Sequence, residues 1–189
     1  MKTATASSRE ASLRKNKFTL TKFTDMPLSA GLQQKLALLH LTIPTPVQAS
    51  AIPPALEGRD VLATAQAGTE KTLAFLIPVL EKMNAQQRHR QISTLILVPT
   101  CELAMQVHEA YESLRGRMQA PAALVIGGAS ERRQMDGIRR GANVVVATPG
   151  RLEDYLRRKR ASGGASLARP VRNTLPTRTL SRMPGVVFS

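Results

Sequence analysis

The fold is decided by one stretch of the chain, which reads Asp60-Val61-Leu62-Ala63-Thr64-Ala65-Gln66-Ala67-Gly68-Thr69-Glu70-Lys71-Thr72. Its first half, residues 61–65, is an apolar strand. Small residues then form a loop before Lys71-Thr72 opens a long apolar helix. In such an arrangement backbone N–H groups surround a phosphate, the lysine supplies positive charge and the threonine hydroxyl reaches Mg²⁺. The stretch therefore predicts a phosphate-binding loop between a strand and a helix.

One residue of that loop departs from the pattern. The position before the lysine should be glycine, because the backbone turns tightly there and passes close to the phosphates, but it is Glu70. A carboxylate about 5 Å from a phosphate, at an effective dielectric constant of about 20, costs about 3 kcal/mol per unit of charge. A side chain forced towards positive φ adds roughly 1–2 kcal/mol. We therefore expect Glu70 to weaken nucleotide binding by about three decades, or to pair with Lys71 and withdraw the lysine charge from the site.

The composition is that of one globular domain with additional ends. The chain has 189 residues, of which 42% are hydrophobic. Its single cysteine, Cys101, excludes an internal disulfide and a multi-cysteine metal site. No apolar run approaches membrane-spanning length, and residues 1–22 lack the apolar core of a secretory signal, with a transit peptide left open as an alternative. We expect a cytoplasmic protein without a membrane partner, and the sequence does not indicate its oligomeric state.

The net charge of +14 is carried by the two ends of the chain. Residues 1–22 have a net charge of +5, residues 23–154 have +1, and residues 155–189 have +8 without any acidic residue. We interpret 1–22 and 157–189 as basic, disordered tails on either side of a lobe at 23–156. Basic tails often bind polyanions, and solvated ends without a partner are the open alternative.

Strands and helices alternate along the lobe. Apolar residues at helical spacing run from Leu28 to Leu39, and a short helix from Gln48 to Leu56 is expected to break at Pro53-Pro54. Strands are predicted at 61–65, 94–98, 122–126 and 143–147, and further helices at 71–83, 102–115, 131–139 and 151–158. This order predicts an α/β fold, a parallel sheet with helices on both faces. Ligands of such sheets lie at the carboxyl ends of the strands, where the unusual loops of this chain also fall.

Those loops resemble, in order and at family spacing, the motifs of the N-terminal RecA-like lobe of DEAD-box ATP-dependent RNA helicases. Phe23 and 44–48 (Pro-Thr-Pro-Val-Gln) resemble the Q motif, and 65–72 resembles motif I. Residues 99–104 resemble motif Ia, Gly127-Gly128 the GG doublet, and 147–152 motif Ib. The resemblance covers about 23–156 and implies an incomplete RecA-like lobe.

The resemblance implies that ATP and Mg²⁺ are the cofactors. The Gln48 amide would read the adenine edge, since it can donate and accept at once, although a helix-start role is the simpler alternative. Thr72 would reach Mg²⁺. The set that would bind the nucleotide is Gln48, Ala67, Gly68, Thr69, Lys71 and Thr72.

RNA is the partner that the resemblance implies. Thr100, Gly128, Thr148 and Arg151 would contact its sugar–phosphate backbone, because strand-end loops of Gly and Thr expose N–H and O–H groups and Arg151 adds charge without reading bases. The simpler alternatives are a plain turn at Gly128 and a solvated charge at Arg151.

Three further positions, Cys101 and the pair His40-Leu41, depart from the family pattern. Cys101 stands where the family has arginine, which replaces a charged donor with a small, weakly polar side chain. His40-Leu41 stands where the Q motif has glycine and an aromatic residue, so an adenine-stacking ring is missing. Core packing is the alternative role for Leu41.

The sequence also lacks the Asp-Glu-Ala-Asp motif, whose acids hold Mg²⁺ and orient the attacking water in the family. We therefore assign no catalytic residue. Residues 157–189 have no apolar period, which favours a frame change near 157–161 over a purposeful basic tail, and Val186-Val187-Phe188 is too short to refill an interior strand. The first hypothesis is a truncated helicase lobe that does not hydrolyse ATP. The alternatives are a non-catalytic RNA-binding protein that uses the lobe's loops and basic tails, and an unrelated nucleotide-binding protein.

Overall fold

The computed structural model describes residues 22–64, 71–85, 92–117, 119–161 and 186–188, with the side chains of 159–161 and 186–188 left aside. A short 3₁₀ helix at Phe23–Asp25 precedes six α-helices and five strands. In chain order these are α1 (Ala30–Leu38), α2 (Pro46–Leu56), β1 (Val61–Ala63), α3 (Lys71–Ala85), β2 (Thr94–Leu97), α4 (Cys101–Leu114), β3 (Ala123–Val125), α5 (Glu131–Arg139), β4 (Val144–Ala147), α6 (Pro149–Ala161) and β5 (Val186–Phe188). None of these helices is long and apolar enough to cross a membrane.

Two parallel sheets form from these strands. The larger has the order β2-β4-β3, with Thr94 opposite Val144 and Ala123 opposite Val145. All four residues of β4 are buried, which is why that strand is an uninterrupted apolar run rather than an alternating one. The predicted α/β class and parallel pairing are confirmed.

Helices cover both faces of this sheet. Val144 and Val146 of β4 join the larger core cluster, which also contains buried residues of α1, α3 and α4. Val145 and Ala147 point the other way into a smaller cluster, against which Ile138 of α5 and Leu152 of α6 pack. The alternation of side chains along one strand therefore divides the core into two layers.

The strand edges of the two sheets are not fully covered. Among the described strands, β2 pairs only with β4, and β1 pairs only with β5. Leu62 on β1 and Leu95 and Leu97 on β2 are exposed. Large apolar side chains on a strand are normally covered by a further strand or helix. In the part of the chain that the structure describes, these leucine side chains lie open to water on the sheet faces.

Three details differ from the sequence-based predictions. Helix α2 is not broken at Pro53-Pro54, because both prolines lie near its end and their carbonyls still accept the N–H groups of Glu57 and Arg59. The expected tail boundary at 157 falls inside α6, which continues to Ala161 because arginine and lysine are good helix formers. Val186–Phe188, assigned to a disordered tail, pairs in parallel with β1, as β-branched and aromatic residues favour.

Helix α1 ends in a motif that normally uses glycine. The His40 N–H donates to the Ala37 carbonyl at 3.0 Å, and the Leu41 N–H donates to the Leu36 carbonyl at 2.9 Å. This pair of bonds is a Schellman cap, which places His40 in the left-handed region at φ 57°. Leu41 packs against the larger core cluster, as its alternative role required. Position 40, where the family has glycine, is therefore a strained site in this chain.

His40→Gly is expected to raise the free energy of unfolding by roughly 1 kcal/mol, since glycine adopts the left-handed conformation without a Cβ clash. His40→Ala is the matched control, because it removes the imidazole but keeps the Cβ. Denaturant unfolding followed by circular dichroism measures both. A glycine variant no more stable than the alanine variant would contradict the strain.

The loop after α4 is tied down by a buried tyrosine and its neighbours. Tyr111 is fully buried, and its hydroxyl donates to the Ala120 carbonyl at 2.9 Å. The Ala122 N–H donates to a carboxylate oxygen of Glu112 at 2.9 Å, and His108 Nε2 lies 3.1 Å from the Ala122 carbonyl. Burial first, and the adjacent Glu112 second, raise the pKa of Tyr111 to about 12, against a smaller opposing effect of Arg115. The folded state therefore favours the neutral phenol.

Stability should fall in alkali for this reason. A folded pKa above the unfolded value of 10 favours folding while the phenol is protonated, so the contribution is complete below pH 10 and is lost as pH rises towards 12. Two units correspond to an upper limit of about 2.7 kcal/mol. Tyr111→Phe should lose less stability between pH 10 and 12 than the wild type, in denaturant titrations at each pH. Equal pH slopes for the wild type and Tyr111→Phe would contradict this assignment.

Candidate functional site

The carboxyl ends of β2, β4 and β3 bring three sequence-distant loops to one edge of the sheet. The Val98 N–H donates to the Ala147 carbonyl at 3.0 Å, and the Thr148 N–H donates to the Val125 carbonyl at 3.1 Å. Cys101 Sγ lies 3.8 Å from the Gly127 carbonyl oxygen. The loops that resemble motif Ia, the GG doublet and motif Ib are therefore direct neighbours.

Thr100 combines a structural role with an exposed hydroxyl. It is the N-cap of α4, and its Oγ1 accepts from the Leu103 N–H at 3.2 Å. This bond satisfies one of the free N–H groups of the first helical turn. Because a hydroxyl also carries one proton to donate, Thr100 can still offer a hydrogen bond to an acceptor at this edge.

The GG doublet forms a turn whose flanking carbonyl groups are hydrogen-bonded by a side chain of α5. Gly128 is exposed and has φ 77°, a conformation that favours glycine, and no other atom lies within 4 Å of the position a Cβ would take. Gln134 of α5 is buried, and its Nε2 donates to the carbonyls of Ile126 at 2.8 Å and Ala129 at 3.1 Å. Sequence reasoning missed Gln134, although a polar residue beside Met135 on the apolar face of a helix was a signal.

Thr148 and Arg151 are more enclosed than the other two residues expected at RNA. Thr148 is buried, and its carbonyl accepts the Leu152 N–H at 3.1 Å as α6 begins. Only 17% of the Arg151 side chain is exposed, and its Nη2 lies 3.8 Å from Oε2 of Glu131. Arg151 thus brings a positive charge to this edge. Its side chain reaches from α6 to Glu131 at the start of α5.

Part of the expected nucleotide site is described. Lys71 and Thr72 are the first two residues of α3 and are half-buried, while the next residues, Leu73 and Ala74, anchor the helix in the core. This placement at a helix N-terminus is the one predicted for a phosphate site. The remaining loop residues, Ala67, Gly68, Thr69 and Glu70, lie outside the described residues.

Gln48 has the role that its simpler alternative proposed. Gln48 is buried at the third position of α2. Its side-chain Oε1 accepts from the Thr45 backbone N–H at 2.9 Å, and the Gln48 backbone N–H donates to the Thr45 side chain. These reciprocal bonds form a capping box. An amide oxygen has two lone pairs, so the cap does not remove all of its accepting capacity. Adenine recognition by Gln48 stays a prediction.

Thr72 is the described side chain suited to Mg²⁺ at the phosphate site. Mg²⁺ at nucleotides is usually held by substrate phosphates, waters and one or two protein oxygens, a requirement that a threonine hydroxyl beside Lys71 fits. Elsewhere in the described ranges, His, Cys, Asp and Glu do not gather in groups of three or more that could hold a metal ion.

The parallel sheet, with helices on both faces and its strand-end loops clustered at one edge, defines a lobe of the RecA-like class. A family model described as DEAD/DEAH box helicase matches residues 45–169. The chain belongs to the DEAD/DEAH box helicase family.

Similar proteins agree with this assignment. The chain is 44% identical over 138 residues to the probable ATP-dependent RNA helicase ddx27 of Dictyostelium discoideum, covering 72% of this chain and 18% of that one. It is 39% identical over 142 residues to the ATP-dependent rRNA helicase RRP3 of Vanderwaltozyma polyspora, covering 75% and 28%. The chain therefore spans less than a third of the length of these relatives.

Solved structures share the fold. The structure of a DEAD box protein from Methanococcus jannaschii superposes with a TM-score of 0.67 at 26% identity, covering 88% of this chain and 55% of that one. The DEAD-box helicase Mss116 bound to ssRNA and UDP-BeF gives a TM-score of 0.72 at 23% identity, covering 88% and 39%. The family assignment favours the truncated helicase lobe over the unrelated nucleotide-binding protein.

Proposed function

We propose that this chain binds the RNA sugar–phosphate backbone at the carboxyl edge of its sheet and binds ATP with Mg²⁺ only weakly. The observation that carries the proposal is the meeting of three loops at one edge, joined by the bonds of Thr148 to Val125 and of Val98 to Ala147. The edge offers the Thr100 hydroxyl, the backbone at Gly128 and the Arg151 charge. None of these groups distinguishes one base from another, so binding is indifferent to sequence.

The nucleotide half of the proposal uses the start of α3. Lys71 would place its ammonium on the phosphates, Thr72 would hold Mg²⁺, and Gln48 would contact adenine. The metal ion, when bound, would neutralise phosphate charge. Glu70 is the residue expected to weaken nucleotide binding. Its carboxylate would repel the phosphate, and its side chain disfavours the positive φ expected at this position of the loop.

Hydrolysis is a separate matter from binding. The printed sequence has no Asp-Glu-Ala-Asp, and residues 155–189 contain no acid that could hold Mg²⁺ or orient a water. We therefore propose that the chain binds both ligands of its family without turning ATP over by itself.

Glu70 variants test the nucleotide site. Glu70→Gln removes the charge and should tighten ATP binding by about two decades, whereas Glu70→Gly also relieves the backbone and should gain about three. Titration calorimetry with Mg²⁺–ATP measures both. Glu57→Gln is the control, because it removes an acid next to the opposite end of β1. Equal affinities across the set would show that Glu70 is not the defect, and RNA-stimulated phosphate release by any variant would contradict the absence of hydrolysis.

Two arginines of the same helix test the RNA edge. Arg151→Ala should weaken binding of a labelled single-stranded RNA by roughly three- to tenfold for every sequence and lower the salt slope by about 0.7. Arg157→Ala is the matched control, because Arg157 is 75% exposed and pairs with Glu153 on the same helix. Fluorescence anisotropy across a salt series gives both quantities. Equal losses for the two variants would assign binding to general positive charge rather than to the edge.

A further inference from the structure

A three-charge cluster lies between the first turn of α5, which carries Glu131, and α6, which carries Arg151 in its first turn and Arg158 two turns later. Oε2 of Glu131 is 3.8 Å from Nη2 of Arg151 and 3.1 Å from Nη1 of Arg158. One carboxylate thus faces two guanidinium groups. The apolar residues Val125, Met135 and Ile138 line the small cleft beside the cluster.

The three members differ in their access to water. The exposed fractions are 17% for Arg151, 45% for Glu131 and 66% for Arg158. Water screens the Arg158 pair most, and exposed ion pairs of that kind contribute little to stability. The least screened attraction in the cluster is therefore the one between Glu131 and Arg151.

Glu131 also lies beside the proposed RNA edge. It is three residues after Gly128, and Arg151 is in the first turn of α6, immediately after the strand-end Thr148. A phosphate that approached Arg151 would meet the Glu131 carboxylate on the same guanidinium. Two anions near one cation repel each other and compete for it.

We infer that Glu131 is a positioning residue that acts as an internal competitor of the RNA phosphate. The carboxylate occupies Arg151 and Arg158 in the free protein and lowers RNA affinity. A bound phosphate displaces it from Arg151, while Arg158, the closer partner at 3.1 Å, stays paired with it. This inference rests on the proposed RNA edge. Because Glu131 is nearly half exposed, its displacement is inexpensive, so the competition tunes affinity rather than abolishing binding.

A purely structural role for Glu131 makes a different prediction. An acidic side chain in the first turn of a helix stabilises that helix through its dipole. Removing the charge would then lower the thermal midpoint without changing the number of phosphates the protein neutralises. The salt dependence of RNA binding separates the two roles, because its slope counts those phosphate contacts.

The test compares Glu131→Gln with Glu153→Gln in the full chain. Both variants remove one carboxylate that pairs with an arginine of α6, but Glu153 pairs with Arg157 and not with Arg151. The probe is a fluorescein-labelled oligouridylate, titrated by anisotropy at several salt concentrations without nucleotide. Glu131→Gln should bind roughly three- to tenfold more tightly than Glu153→Gln. Its salt slope should steepen by about 0.7, because Arg158 is released for one further phosphate contact.

The Arg151→Ala variant distinguishes the possible failures. If Arg151→Ala weakens binding but Glu131→Gln matches Glu153→Gln in affinity and slope, the competition is wrong and the RNA edge stands. If Arg151→Ala changes nothing, the proposed edge is wrong and the competition falls with it. In the Arg151→Ala background the gain from Glu131→Gln should shrink, and an undiminished gain would also overturn the inference. Thermal melts of every variant establish that the folds are intact.

Discussion

The pairing of β4 between β2 and β3 is the constraint on which the rest of the described structure depends. Because the strands are parallel and in register, their carboxyl ends fall at one edge and deliver three loops there together. The same strand separates the two core layers, with alternate residues packed against helices on opposite faces. Position of the site and packing of the core therefore follow from one set of backbone hydrogen bonds.

The sheet that carries the site leaves apolar side chains exposed within the described residues. Leu95 and Leu97 stand exposed on β2, the strand that leads into Thr100, and β1, which leads towards the phosphate loop, belongs to a separate two-stranded sheet. Among the described strands, no pairing joins the two sheets. The two halves of the proposed site are thus connected through helices, above all α2 packed on α3, rather than through a continuous sheet.

Several polar residues of the site have a structural contact before any ligand arrives. Thr100 caps α4, Gln48 caps α2, and Arg151 faces Glu131. Buried polar side chains and the free N–H groups at a helix start both need partners, so each of these three residues already has one in the free chain. Binding at this edge is therefore an exchange of partners, and its strength depends on how loosely the internal partner is held.

The amino-acid sequence alone was enough to predict the α/β class, the order of β1 to β4 with their helices, and the segments that contain Lys71, Thr100, Gly128 and Arg151. These are consequences of local periodicity and of residue types at fixed spacing, which need no distant contact. Only the tertiary structure decided that Glu131 faces Arg151, that Gln134 holds the GG turn, that His40 takes a left-handed conformation and that Val186–Phe188 pairs with β1. Each of these depends on how packing positions the backbone or places distant residues side by side. The local sequence pattern does not give the distance between residues that are far apart in the chain, because the packing of the whole core sets that distance.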